Sequence, residues 1–288
     1  MLEMFVFISG YVWSFSIFEK NKVQSIIELT KNKFKRLIIP SLLFSAVYLL
    51  LLTNWQSQSL LSILYDLLNG VGHMWFLPML FWCFIISAFL NKINVSDRLK
   101  IGSLFIISLI SIIPLPLRLS SSLYYLFFFY AGFLCRKYIA KLDLNISIRH
   151  IVISWIVFII AFVGLTIVSK NDLIPFPDYG LITKAITAVI NKLFRVVFSS
   201  LGIIAMLITA IYITNTNKLP QWIVEVGNYC FGVYLFQQFI LMILYYHTSL
   251  PIVVTPHLLP WIGTLVALGL SLLFSWLLRK TRIGRQLI

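Results

Sequence analysis

Carboxylates are scarce in this chain. Asp and Glu together number nine against 23 Lys and Arg, and almost none of the nine falls inside an apolar run. Proton-coupled carriers need a carboxylate at mid-membrane depth, so that class is disfavoured. Cysteine is sparser still: Cys83, Cys135 and Cys230 are odd in number and form no C-x-x-C or Cys/His cluster. A disulfide framework and a zinc site are therefore not expected, and no metal is assigned. All three cysteines lie in apolar runs and read as small buried hydrophobes. The patterns G-x-S-x-G, G-x-x-x-x-G-K-[ST] and G-x-G-x-x-G are absent, which removes the common hydrolase elbow, the P-loop and the dinucleotide fold. Period-2 alternation is missing too, which argues against a β-barrel.

What remains is apolar. With 60% hydrophobic residues and 11% charged, the chain reads as an all-α, polytopic transmembrane helix bundle. A membrane-crossing helix takes about 20 mainly apolar residues. Nine runs qualify, near 1–18, 37–53, 74–90, 99–117, 122–139, 150–168, 193–214, 227–246 and 260–278. Pro40, Pro78, Pro114 and Pro116 interrupt some of them, and such breaks persist in a membrane only where neighbours satisfy the freed carbonyls. No internal repeat and no separate soluble domain is evident, so residues 1–288 are read as a single membrane-embedded unit.

The net charge of +14 would suggest nucleic acid in a soluble protein, but its distribution describes topology instead. One alternating set of loops holds 18 basic residues, among them Lys31, Lys33, Lys35, Arg36, Arg136, Lys137, Arg279 and Lys280. The other holds five: Arg118, Lys170, Lys184, Lys192 and Arg195. Basic loops stay cytoplasmic. The C-terminus is therefore expected inside, the first residues outside, and no nucleic-acid partner is implied. An external start without a signal peptide is odd for Met1-Leu2-Glu3. The sequence reading resolves this by expecting an N-terminally incomplete unit, about nine helices of a likely ten.

Two stretches can carry chemistry. Gly70-Val71-Gly72-His73-Met74-Trp75-Phe76-Leu77-Pro78 follows a polar loop, Asn54 to Asn69, and opens an apolar run. His73 is thus placed at the mouth of a membrane-buried segment, on its outer side, where an imidazole with an unperturbed pKa near 6.5 suits a general base. The competing reading makes His73 a helix cap near the headgroups and Trp75 part of the interfacial aromatic belt. The second stretch is basic, Lys31 to Arg36 ahead of Pro40. Arg36 offers a bidentate fork and Lys33 a point charge for phosphates, although such a cluster also serves as an anchor to anionic lipid. Ser9 and Gly10 are small residues suited to close helix packing.

Phe5–Tyr11 (FVFISGY), Lys33–Pro40 (K-x-x-R-L-I-I-P), His73–Pro78 (HMWFLP), Gly227–Leu235 (GNYCFGVYL) and the basic tail from Arg279 to Arg285 occur in that order. Together they resemble the membrane-embedded acyltransferase 3 family. The resemblance implies a ten-helix enzyme of the bacterial inner membrane. It would move an acyl group, usually acetyl from acetyl-CoA, onto hydroxyls of cell-surface polysaccharide or another glycan. It implies acyl-CoA as co-substrate with no permanently bound cofactor, a glycan or lipid-linked sugar as acceptor, and membrane lipids as partners. On these positions His73 and Trp75 become catalytic candidates, and Lys33 and Arg36 the acyl-CoA-binding ones. The family's first helix, with a histidine regarded as catalytic, has no counterpart, and Gln237 stands where the family often has histidine. The alternatives carried forward are a catalytically inactive truncated member and a glycan or lipid transporter.

Overall fold

The computed structural model describes residues 2–18, 25–52, 59–111, 115, 117–139, 145–170, 180–216, 220–281 and 284. Lys20, Lys22, Lys141, Lys218, Arg282, Arg285, Pro114 and Pro116 lie outside the described residues. Among those described there is no strand. In chain order the α-helices are α1 Leu2–Phe18, α2 Ile26–Lys33, α3 Ile39–Leu52, α4 Leu60–Asn69, α5 Phe76–Lys92, α6 Asp97–Ile110, α7 Leu119–Ile139, α8 Ile148–Lys170, α9 Leu181–Asn215, α10 Gln221–Gly227, α11 Cys230–Tyr246, α12 Leu250–Val253 and α13 Leu259–Lys280. Each of the nine apolar runs overlaps a helix among the described residues: α1, α3, α5, α6, α7, α8, α9, α11 and α13.

Length separates these helices. Among the described residues four segments, Ile26–Leu51, Gly72–Lys92, Ile186–Asn215 and Leu259–Lys280, are long and apolar enough to cross a membrane. The pair α10 and α11, bent by 66°, makes a fifth if it is one span. At 17 and 14 residues, α1 and α6 are shorter than a perpendicular crossing needs.

The segment read as a polar loop contains a helix. Ser59 caps α4 by accepting from the Ser62 amide at 3.3 Å, as serine does at a helix start. Leu60, Leu61, Leu64 and Leu68 follow at helical spacing with their side chains exposed. The polar residues on either side of this apolar cluster hid it.

The described residues form two compact units. The first comprises Met1–Leu29 and Trp82–Lys218. In it α1 and α7 cross where glycines let the backbones touch. A Cβ on Gly10 would sit 1.9 Å from the Phe129 carbonyl oxygen, and one on Gly132 would sit 2.0 Å from that of Phe7. Small residues allow this approach, and in an apolar solvent close packing is a main source of helix association. Ser9 donates to the Phe5 carbonyl at 2.8 Å within its own helix.

The helices of this unit alternate in direction. Phe105 meets Phe127 at 5.6 Å and Asp97 meets Lys137 at 2.7 Å, so α6 runs antiparallel to α7. Phe158 stacks on Phe198 at 4.8 Å and Trp155 donates to Thr209 at 3.1 Å, so α8 runs antiparallel to α9. One end of the unit therefore carries Tyr11, Asp97, Arg136 and Lys137, and the other carries Glu3, Ser111, Lys192 and Arg195. Burial would raise the Asp97 carboxyl, but hydrogen bonds from Lys137 and Tyr138 outweigh it and hold the group below the usual carboxylate range. Of the three cysteines only Cys83 is buried; Cys135 is half-buried and Cys230, first residue of α11, is exposed. An apolar neighbourhood in sequence does not say which face of a helix turns inward.

The second unit comprises Thr30–Phe81 and Leu219–Ile288. Pro40 shapes its beginning. Proline has no N–H to give the carbonyl four residues back, and the turn before it opens into a π-helix, Phe34–Ile38, in which the Ile39 amide reaches the Phe34 carbonyl. Single π-turns of this kind recur at functional sites. Later in the unit α11 and α13 pack antiparallel, with Phe236 5.8 Å from Phe274 and Arg279 bonded to the Asn228 carbonyl. Along α3 and α11, Phe44 meets Phe236 at 5.4 Å and Tyr48 meets Phe239 at 5.5 Å, so these two run the same way.

Candidate active site

His73 sits on a single 3-10 turn, Gly72–Trp75, between α4 and α5. The turn depends on two glycines. Gly70 has φ 77° and Gly72 φ 57°, and a Cβ on Gly72 would lie 2.9 Å from the Tyr48 ring. Both conformations are costly for a residue with a side chain.

A turn among apolar helices leaves backbone groups without partners, and α3 supplies them. Ser45 accepts from the Val71 amide at 3.1 Å. Ser41 donates to the Met74 carbonyl at 3.4 Å; in a regular helix that carbonyl would pair with residue 78, which is Pro78 and has no N–H. Ser41, Ser45 and Tyr48 recur at the spacing of one helix face, and all three are buried.

The imidazole is enclosed from α3 and α11. Its ring centroid lies 6.5 Å from Tyr48, 5.4 Å from Tyr234 and 5.7 Å from Phe239, each edge-on. The Tyr234 hydroxyl donates to the His73 backbone carbonyl. Nε2 lies 3.3 Å from the Leu235 carbonyl oxygen. A carbonyl only accepts, so Nε2 carries the proton in that contact and Nδ1 keeps its lone pair. Nδ1 is buried and has no hydrogen-bond partner among the described residues. The site thus holds an oriented base with an unused lone pair.

The position of His73 can be given along the helices that enclose it. Tyr234 and Leu235 are the fifth and sixth of the 17 residues of α11, so the Tyr246 end is about 16 Å away along that axis. Along α3 the same turn lies beside Tyr48, the tenth of that helix's 14 residues. Trp75 is half-buried on the same turn, its ring edge-on to Phe76 at 6.5 Å. Lys33 ends α2 half-buried and Arg36 is exposed on the π-turn. They precede α3, and five to nine residues separate Arg36 from Ser41 and Ser45, about 7 to 14 Å along the axis. Gln237 is exposed on α11. Among the described residues no three His, Cys, Asp or Glu cluster as a metal site would require.

Sequence reasoning passed over Ser41, Ser45, Tyr48 and Phe239, and met Tyr234 only as a member of the Gly227–Leu235 motif. The serines had a signal, two hydroxyls four residues apart in an apolar run. Tyr48 and Phe239 had none, in a chain with 24 Phe and 13 Tyr.

A family model described as an acyltransferase domain matches residues 1–280. The chain belongs to the acyltransferase 3 family. No curated protein and no solved structure matches it. Members of the acyltransferase 3 family are acyltransferases, and membership points to acyl transfer onto hydroxyls of carbohydrates or similar acceptors. With its apolar helices, this acyltransferase 3 protein is a multi-pass membrane protein.

Proposed function

We propose that this protein transfers an acyl group, acetyl in the simplest case, from acyl-CoA to a hydroxyl of a cell-surface polysaccharide or lipid-linked sugar, with His73 as general base. The observation that carries the reading is the His73 imidazole, pinned by the Leu235 carbonyl and leaving a buried Nδ1 without a hydrogen-bond partner among the described residues. Nδ1 takes the proton of the acceptor hydroxyl as its oxygen attacks the thioester carbonyl. The carbon–sulfur bond then breaks, and the imidazolium returns the proton to the CoA thiolate. Trp75, on the same turn, is the proposed N–H donor to the developing oxyanion.

Lys33 and Arg36 hold the phosphates of the donor, Arg36 by its fork and Lys33 by its charge. The 18 to 5 division of basic residues supports an inner-membrane protein with a cytoplasmic C-terminus and with this pair on the side where acyl-CoA is made. A donor held ahead of α3 then needs to extend only a few helical turns to reach His73.

The test measures acetyl transfer from labelled acetyl-CoA to surface glycan in membranes carrying His73→Gln. Turnover should fall about 100-fold at unchanged protein level, the scale for losing a general base. Near-normal turnover would return His73 to the role of a cap. Replacing Lys33 and Arg36 by Gln should instead raise the acetyl-CoA concentration needed for half-maximal rate.

A further inference from the structure

The first unit holds a charge cluster that acyl transfer at His73 does not use. Glu3 on α1, Ser111 at the end of α6, Tyr124 and Tyr125 on α7, and Lys192 and Arg195 on α9 meet at one end of that unit. Arg195 bonds Glu3 through Nε at 2.9 Å and the Tyr125 hydroxyl through Nη2 at 3.0 Å. Lys192 donates to the Ser111 hydroxyl at 2.8 Å and to the Ser111 carbonyl. Both cations flank the Tyr124 ring, Arg195 at 5.1 Å and Lys192 at 5.8 Å from its centroid.

The charges do not cancel. Glu3 is buried and its carboxylate faces Arg195, whereas among the described residues Lys192 is held by neutral oxygens alone. Among the described residues of the cluster one positive charge is left over. Lysine and arginine at the end of a span ordinarily extend toward water with their side chains unfixed; here both heads are tied back into the bundle, which fixes side chains rich in rotamers. Such a fixed fork and point charge match a phosphate. The Arg195 side chain remains 55% exposed, so the cluster is reachable. Beside it on α9, Leu193, Phe194 and Val197 present apolar surface.

We propose that Lys192 and Arg195 form a binding site for the phosphodiester or phosphate of a membrane-resident amphiphile, whose apolar tail runs along the exposed face of α9. The single surplus charge matches a phosphodiester, and the apolar strip beside the cations selects an amphiphile over a free anion. This site is independent of the reading of His73.

The test is native mass spectrometry of the purified full chain in detergent with three probes: dioleoyl phosphatidylglycerol, a long-chain polyprenyl phosphate and dioleoyl phosphatidylcholine. The intact protein should retain one anionic phosphate amphiphile in preference to phosphatidylcholine. Lys192→Gln should weaken that retention at least tenfold, while Lys192→Arg keeps it and certifies the fold. Arg195 is left in place because removing it would strand buried Glu3. A tenfold preference for polyprenyl phosphate identifies a lipid-carrier site; equal retention of phosphatidylglycerol identifies a headgroup site. Retention of phosphatidylcholine equal to the anionic probes, or unchanged retention in Lys192→Gln with Lys192→Arg folded, overturns the proposal and leaves the cluster as a structural network.

Discussion

Tyr234 holds the His73 turn by one hydrogen bond, from its hydroxyl to the His73 carbonyl. The bond lies among apolar helices, where an unpaired carbonyl is costly. Tyr234→Phe keeps the ring beside His73 and removes only the donor. It should cost about 0.5–1.5 kcal/mol of stability, and it should lower acyl transfer by more than the loss of folded protein explains, because it loosens the turn that aims Nδ1. Thermal unfolding and turnover measured on one preparation separate the two effects. If the rate per folded molecule is unchanged, the hydroxyl is structural and does not position the base. At this scale the sequence was half legible. His73 and Trp75 stand out as rare residues beside an apolar run, whereas the Leu235 carbonyl that orients the imidazole carries no side-chain signal.

Helices meet where their surfaces permit, and the crossing of α1 with α7 permits only glycine. The Gly10 and Gly132 positions each face a backbone carbonyl oxygen of the other helix, not a side chain that can swing away. Gly132→Ala should therefore force the helices apart, at a cost of about 1–3 kcal/mol of the kind seen for overpacked cores. The expected outcome is a lower midpoint of thermal unfolding in detergent and less inserted protein. Gly102→Ala is the control, since nothing lies within 4 Å of a Cβ there. An unaltered Gly132→Ala protein would mean that α1 and α7 do not cross this closely. The glycine of Phe5–Tyr11 was legible as a packing residue; its partner Gly132, some 120 residues away, was not, because pairing across sequence is decided only when both helices are in place.

For the whole molecule, charge and helix direction give the same division by independent routes. Side-chain contacts alone put Asp97, Arg136 and Lys137 at one end of the first unit and Lys192 and Arg195 at the other. Counting basic residues along the sequence puts the same groups on opposite sides of a membrane. Reporter fusions after Lys31 and Lys137 should accordingly behave as cytoplasmic. Fusions near Gln58 and Asp178, which lie outside the described residues, should behave as external. A cytoplasmic signal at Gln58 would overturn the orientation.

The sequence by itself determined that this protein is an all-α membrane bundle, where its nine apolar runs lie, and which family it belongs to. Those properties follow from local chemistry: apolar length sets what a membrane accepts, and short motifs keep their order along the chain. Only the tertiary structure decided that His73 lies beside Tyr234 and Leu235 of α11, that Ser41 and Ser45 satisfy the backbone of its turn, and that Leu235 fixes its tautomer. Each of these rests on a contact between residues far apart in sequence, and in a chain so uniformly apolar periodicity does not say which face meets which. The helix from Leu60 to Asn69 had a local cause that composition concealed, an apolar cluster set between polar residues.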